Sequence, residues 1–423
     1  MDPARTQEMV RARAARLCEW TVAPPALAAF VGLRELRAHL ETICSSGASG
    51  PLEWAMLGNA YTREGRYLEA IDAYERALAI DPHFAAAHLA IAELASMLHD
   101  EEPDALHRKR ALALQRVYLD PLPVGDRLPL VMLLRDVPYS VNMPLDVLVD
   151  RTRVALHKVY MEGEVEIPPH AAAICAFGYA YDALGAIDRA TSIAGALAHP
   201  IINVPARLLA TAREALPQTL ASIDGVRACA STAYSARDLT HAALPALVRP
   251  RDTHAGRGLS LVRSPDEMRA HLARFPAQAY HVTPFVEYRS PDGYYRKYRA
   301  ILIDGVAYPY HLAISPRWMV HYRGSPMREH AWMREEEARF LDDPERAVPR
   351  WGERLGAIAR AIGLEYVGLD LTVLPDDTLL VFEADAAMLL HDEDEHDLLS
   401  YKRPYVARIR EAFHALVERR VRR

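Results

Sequence analysis

Residues 51–82, PLEWAMLGNAYTREGRYLEAIDAYERALAIDP, set apolar and small side chains at helical spacing on both sides of the turn EGR. That pattern specifies two amphipathic helices folded back on each other. Gly58 and Ala70 stand where the helices must approach, Trp54, Leu57, Tyr61, Tyr74 and Ala77 fill the space between them, and Pro82 stops the second helix. One such hairpin leaves apolar faces uncovered, so further helices must stack on it. The segment FAAAHLAIAELASMLHDEEPDALHRKRALALQRVYLDP reads as a second, lengthened copy closed by Asp120 and Pro121, and the helical stretches before Ser45 as a cap.

Beyond Pro121 the period changes. Short apolar runs, PLVMLLRDVP, AAAICAFGYAYD and HPIINVP, alternate with helical stretches such as ALGAIDRATSIAGALA, as in a parallel α/β layer. Phe177, Gly178, Tyr181 and Ala190 also fit the spacing of the first hairpin, but the regular punctuation by apolar runs favours strands. From Leu244 strands dominate: ALPALV, LSLV, AYHVTPFVEY, and YYRKYRAILIDGVAYPYHLAI with a hairpin turn at Asp304 and Gly305. SPDEMRAHLARF is a helix capped by Ser264, PRWGERLGAIARAIG a longer one, and YVGLDLTVLPDDTLLVFEAD a closing pair of strands. The expected fold class is multidomain α plus α/β: a helical repeat region at 1–121, an α/β domain at 122–240 and an α+β domain at 241–423.

Composition narrows the function classes. A chain that is 51% hydrophobic and 25% charged, with a formal net charge of -6, has no general affinity for nucleic acid or a bilayer. Its apolar runs are short and interrupted, and MDPARTQEMVRARAARL lacks the apolar core of a signal peptide, so the expected location is the cytoplasm. Cys18, Cys44, Cys175 and Cys229 are far apart and form no CxxC pair, which suits small buried hydrophobes better than a disulfide frame or zinc site. His391, Asp392 and His396 in HDEDEHD read as the solvated start of a terminal helix, and RRVRR as a solvated tail. Lys109, Lys158, Lys297 and Lys402 are the only lysines among 50 basic residues, so arginine fills places where other chains carry lysine.

The last two strands concentrate acid. Glu383 and Asp385 are two residues apart and project to one face, and the tight turn brings Asp370 alongside. Three carboxylates on one sheet face repel unless a cation sits among them, and oxygen-only ligands suit magnesium. The apolar neighbours Leu369, Leu371, Phe382 and Ala384 argue against a fully solvated edge.

Two resemblances follow. The hairpin at 51–82 resembles a tetratricopeptide repeat. Further along, the ordered run ALPALVRP, DTHAGRGL, VTPFVEY, then GLDL followed by FEAD, resembles the ATP-grasp superfamily, ligases that join a carboxylate to an amine through an acyl phosphate. This resemblance implies ATP and Mg2+ as cofactors, a pre-ATP-grasp α/β domain ending in HPIINVPARLLATAREALPQTLASIDGV, and an ATP-grasp domain after it. It implies that Arg213 and Arg249 grip the nucleotide phosphates in places where the family usually has lysine, and guanidinium can do this bidentately. Gly256 and Gly258 would let flap amides approach the phosphates, with His254 and Arg257 closing the flap. Backbone groups of Thr283, Pro284, Phe285 and Val286 would meet adenine, and Glu287 or Asp292 the ribose. Asp370, Glu383 and Asp385 would hold the metal, Asp385 standing where the family usually has asparagine.

Arg296, Lys297 and Arg299 alternate along a strand, so Arg296 and Lys297 cannot share a face. The family pattern favours Arg296 for the substrate or acyl phosphate, ahead of Arg299, and sets Arg317 and His321 near the substrate. The activity so implied is ATP-dependent ligation of a carboxylate to an amine on a small molecule or peptide, needing no serine or cysteine nucleophile. Two alternatives stand beside it: a repeat-bearing adaptor that binds nucleotide without ligating, and an ATP-dependent phosphotransferase. The helical repeats would either hold a protein or peptide partner, a second copy included, or cap the neighbouring domain.

Overall fold

The computed structural model describes residues 33–422 apart from 48, 65, 99–100, 121–123, 138–141, 144, 180–182, 200, 252, 254–255, 257, 389 and 391–397. Cys18, His391, Asp392 and His396 therefore lie outside the described residues. The chain divides into two compact units, one drawn from the described parts of Met1–Phe177, Arg189–Ile202 and Leu389–Arg423, the other from those of Gly178–Asp188 and Asn203–Met388.

The first unit opens with helices α1 (Leu33–Ser45), α2 (Pro51–Arg63), α3 (Tyr67–Ile80), α4 (Ala85–Leu98) and α5 (Glu101–Leu114). Tyr74 is fully buried among Ala55, Ala70, Ala77, Ala87 and Leu94, and its hydroxyl donates to Asn59 Oδ1 at 2.6 Å. The α2–α3 crossing is close because Gly58 lies under the Tyr74 ring, where an added Cβ would sit 2.7 Å from a ring carbon. Two imidazoles join α4 to α5: His88 Nδ1 and His107 Nδ1 are 2.9 Å apart, while His88 Nε2 donates to the Pro82 carbonyl at 3.1 Å. With Nε2 of His88 spent as a donor, His107 supplies the one proton shared between the two Nδ1 atoms.

The α5 helix ends sooner than the second repeat copy predicts. Val117–Tyr118 is strand β1, so the sheet begins inside the segment assigned to the repeat region. Then follow β2 (Leu128–Leu134), α6 (Leu145–Leu148), β3 (Val154–Tyr160), β4 (Ala172–Cys175), α7 (Leu184–Ala196) and β5 (Ile201–Ile202), in the sheet order β1-β3-β2-β4-β5. The four strands β3, β2, β4 and β5 are parallel, with β1 antiparallel at the edge. Strand β4 and helix α7 settle the segment after Pro168 as α/β rather than another repeat. The sequence pattern hid β3, VALHKVY, because His157 and Lys158 interrupt it; both are buried, with Asp120 N donating to His157 Nδ1 at 2.9 Å and Lys158 3.8 Å from Glu93.

The second unit contains α8 (Leu216–Leu220), β6 (Val226–Ala228), β7 (Thr232–Ser235), β8 (Ala246–Pro250), β9 (Ser260–Val262), α9 (Pro265–Arg274) and β10 (Ala279–Pro284). After them come β11 (Tyr295–Ile303), β12 (Val306–Ser315), α10 (Ala331–Asp342), α11 (Pro344–Ala347), α12 (Trp351–Ile362), β13 (Tyr366–Val373) and β14 (Leu379–Asp385). They build two sheets, β7-β10-β8-β9 and β12-β11-β13-β14-β6. Local chemistry explains several boundaries. Ser264 Oγ accepts from Glu267 N at 3.2 Å while Glu267 accepts from Arg263 N at 2.7 Å, which starts α9. Asp304 and Gly305 take φ of 49° and 82°, the double positive φ of a two-residue hairpin turn between β11 and β12.

Two placements depart from the sequence boundaries. Residues 203–240, expected with the α/β layer, run in the second unit, where β6 pairs parallel to β14. The terminal helix α13 (Arg403–Val421), expected with the last domain, packs in the first unit, where His414 Nε2 accepts from Asp150 N at 2.9 Å and Arg153 pairs with Glu418 at 2.7 Å. No helix among the described residues is long and apolar enough to cross a membrane.

Two tests follow from the helical region. Alanine at Gly58 gains about 1 kcal/mol of helix propensity but overpacks the Tyr74 site by about 1–3 kcal/mol. Gly58→Ala is therefore expected to lower the melting temperature, and a rise would show that the ring yields freely. Burial, the facing His88 and then Arg110 push His107 down to about 4, and burial likewise lowers His88. A depressed histidine pKa means that the stabilisation is complete above the ordinary histidine value and is lost as the pH falls toward 4. Melts across that window are expected to show the loss, and His107→Gln to reduce its pH slope.

Candidate active site

The site grows from one row across the second sheet. Register places Arg299 of β11 opposite Asp370 of β13, and Asp370 opposite Glu383 of β14. Two irregularities flank this row, between Arg299 and Ala300 against β12 and between Asp370 and Leu371 against β14. The second is decisive. Leu371 pairs with Val381, so an unbroken ladder would face Asp370 with Phe382; the extra residue instead brings Glu383 to Asp370 and Asp385 to Gly368.

Asp370 is 3% exposed, and its oxygens accept from Arg299 Nε at 2.6 Å, Arg299 Nη2 at 2.9 Å and Lys297 Nζ at 2.7 Å. Burial alone would raise its pKa, but Arg299 and Lys297 more than offset it and hold the carboxyl far below the usual range. Glu383 bonds Arg213, which sits in the turn before α8. Burial opposes the Glu383 charge, yet Arg213, helped by Arg249 and Lys297, lowers its pKa despite the nearby Asp370. Asp385 has no such cation bonded to it: burial and then Glu383 push it up to about 6, and its Oδ1 accepts from Ala387 N at 2.8 Å.

On the other sheet, Arg249 of β8 is 8% exposed and its Nε has no hydrogen-bond partner among the described residues. Burial, then Arg213, lower its pKa to about 10, against the pull of Glu383. Arg249 and Arg213 are thus close enough to repel, as two cations awaiting one anion would be. The flap after β8 is described at Gly256 and Gly258, with φ of 76° and 62°, while His254 and Arg257 lie outside the described residues. Gly256 packs so near His321 that a Cβ would stand 2.7 Å from its Nε2.

The segment expected to meet adenine is Thr283, Pro284, Phe285 and Val286, at and after the end of β10. Phe285 N donates to the Pro245 carbonyl at 3.1 Å, and Thr283 Oγ1 lies 3.1 Å from Ser231 Oγ. A cavity of about 680 Å³ opens beside it, lined by Pro245, Leu261, Phe285, Glu287, Arg317 and Trp318 among others. Of the two acids considered for a ribose, Glu287 borders this cavity, whereas Asp292 is taken by Arg296 at 2.7 Å. Arg317 belongs to the same wall, on the bend after β12.

The place of Arg296 bears on one expectation. It does not face the carboxylates: strand alternation turns it away, onto Asp292 and onto Glu336 at 2.6 Å, and turns Lys297 and Arg299 toward Asp370. The signal was present in Tyr298, a buried aromatic that fixes which alternate residues point with Arg296. A second expectation needs restating. The carboxylates lie together, but the protein's own Lys297, Arg299 and Arg213 neutralise them, so their charge does not require a metal. The donor chemistry suits magnesium, yet among the described residues no group of three or more His, Cys, Asp or Glu side chains is arranged to hold a metal ion.

The architecture is one unit of repeat helices with a mostly parallel sheet, and one two-sheet α+β unit with clustered cations and carboxylates. In comparisons with known proteins, residues 51–84 match the tetratricopeptide repeat model. No curated protein sequence matches the chain. Solved structures similar to it include D-alanine–D-alanine ligase from Bacillus anthracis complexed with ATP, 11% identical, covering 70% of this chain and 98% of that chain with a TM-score of 0.43. Another is a RimK domain ATP-grasp protein from Sphaerobacter thermophilus, 14% identical over 67% of this chain and 98% of that chain, TM-score 0.38. A third is the ATP-grasp ligase PsnB complexed with a phosphomimetic variant of its minimal precursor, Mg and ADP, 13% identical over 69% and 99%, TM-score 0.39.

The two ion pairs should behave differently on mutation. Asp370→Asn leaves Arg299 and Lys297 nearly buried without their counter-ion and is expected to cost about 3 kcal/mol in chemical denaturation. Arg213→Ala frees a Glu383 side chain that is 37% exposed and is expected to cost no more than about 1 kcal/mol. Equal losses would refute the ranking.

Proposed function

We propose that the second unit binds ATP and uses it to activate a carboxylate for attack by an amine, with an acyl phosphate between the two steps. The observation that carries this reading is the meeting of Arg213, Arg249, Lys297 and Arg299 with Asp370 and Glu383 in the unit that holds the cavity at Phe285. Such a site has cations enough for a polyphosphate and for a phosphoryl group in transit.

Arg213 and Arg249 bind the phosphates, and Arg213 leaves Glu383 to do so. Lys297 and Arg299 face the transferred phosphoryl group and offset the charge it develops. The cavity at Phe285 and Glu287 takes the base and ribose, and the flap around Gly256 and Gly258 excludes water that would hydrolyse an acyl phosphate. Asp370, Glu383 and Asp385 are the oxygen donors that would hold magnesium, with Glu383 released by Arg213, and the ion would supply charge neutralisation at the terminal phosphates. The acceptor then loses a proton, its nitrogen bonds to the activated carbonyl carbon, and inorganic phosphate departs. On this reading the substrates are a small-molecule or peptide carboxylate and amine, and the repeat helices offer a surface to a peptide or protein partner.

A nucleotide-binding adaptor is the second reading. It is favoured by the partly exposed Arg213–Glu383 pair, whose exchange with phosphate would switch the site without turnover. ADP release separates the two. With carboxylate and amine pools supplied, the wild-type chain is expected to form ADP, Glu383→Gln to abolish it while keeping the native melting profile, and Arg249→Ala to weaken ATP binding by roughly tenfold or more. ATP binding without ADP formation in any pool would select the adaptor, and unchanged turnover in Glu383→Gln would remove the site assignment.

A further inference from the structure

Strand β10 sends Tyr280 and Val282 into the core shared with Met268 and Leu272 of α9, which turns His281 and Thr283 to the opposite face. There His281 stands opposite Arg249 in the register on one side and Ala233 on the other. It is 6% exposed, and its Nδ1 has no hydrogen-bond partner. Glu214 Oε1 lies 3.6 Å from that nitrogen and also 3.6 Å from Arg251 Nη2, both too long for a hydrogen bond. Glu214 directly follows Arg213 in the chain. Two buried nitrogens, Nδ1 of His281 and Nε of Arg249, thus lack hydrogen-bond partners among the described residues. Burying polar atoms unsatisfied is costly, and a phosphate group carries enough oxygens to serve both.

We infer that His281 is a third phosphate-binding group beside Arg213 and Arg249, and that nucleotide binding places a proton on its ring. The inference rests on the nucleotide reading of the site. Among the described residues the charged groups acting on the ring are Glu214 and Arg213 from the turn before α8, Arg249 from β8 and Arg251 from the turn just after it. Burial keeps the free ring below the ordinary histidine pKa; Glu214 opposes that, and the three arginines reinforce it. A polyphosphate cancels the arginine charge and adds an acceptor, so the imidazolium becomes the favoured form. The proton comes from buffer, goes to Nδ1, and is returned on release; no covalent bond changes. The arrangement makes affinity for nucleotide stronger at mildly acid pH through a residue outside the carboxylate row.

Calorimetric titration of the full chain with the nonhydrolysable analogue AMP-PNP, in two buffers of different ionisation enthalpy, counts the protons taken up. Wild type is expected to take up more protons than His281→Gln, and its affinity advantage to be roughly tenfold near pH 6.5 and to shrink toward pH 8.5. The analogue's own titration is common to both chains and cancels. Glu214→Gln leaves the buried ring in place and is expected to reduce uptake as well. Binding with equal uptake in wild type and His281→Gln overturns the inference while leaving the nucleotide reading intact. Should His281→Gln fail to fold, undiminished uptake in Glu214→Gln overturns it. No binding of AMP-PNP by wild type overturns both.

Discussion

Arg299, Asp370, Glu383 and Arg213 form a line across three strands and one turn, two neighbouring acids with a cation at each end, and the second unit is organised around keeping it matched. In an interior of low dielectric a buried carboxylate without its cation is expensive. Asp370 is nearly inaccessible and needs both Arg299 and Lys297. A one-residue slip of β11 against β13 would turn both cations to the far face and leave the acid alone. The charged row therefore locks the register of the strands that carry it, while the surrounding residues, Ala300, Leu369 and Leu371, are fully buried and indifferent to sliding.

The same row makes the resting site self-neutralised. Its cations are held by carboxylates. On the proposed reading polyphosphate competes for them, since each oxygen accepts more than one donor and Glu383 is partly exposed. Asp370 resists the exchange more than Glu383 does, having two cations and almost no contact with solvent. The division gives one fixed anchor and one exchangeable pair. Arg249 and His281 differ from both, being buried with atoms unsatisfied, and for them an anion is a gain without a broken bond.

Much of this was legible in residue spacing. The helical hairpin at 51–82, the Ser264 cap, the Asp304-Gly305 turn and the paired closing strands are local features, set by propensity and short-range hydrogen bonds, and they stand where the sequence puts them. The acidic residues Asp370, Glu383 and Asp385 were recognisable too, because they stand near the ends of two strands joined by a tight turn, although the extra residue at Phe382 is what sets Glu383 on the face of Asp370. Alternation also limited Arg296 and Lys297 to opposite faces, but it could not say which of them meets Asp370, and the structure gives that place to Lys297. Strand β3 escaped because His157 and Lys158 break its apolar run, and both are explained only by partners distant in the chain, Asp120 and Glu93.

The amino-acid sequence by itself determined the kinds of element, most of their boundaries and the stock of charged groups available for chemistry. Tertiary structure decided the rest. An extra residue between Val381 and Glu383 sets the acids face to face, β6 joins a sheet whose other strands lie far along the chain, and α13 returns to the first unit. Each depends on which strands pair and how much charge the pairing leaves unmatched, a non-local sum that no window of residues contains. For the same reason His281 looks like any strand residue in AYHVTPFVEY. Only the register that sets it beside Arg249 and within reach of Glu214 gives its unpartnered nitrogen a meaning.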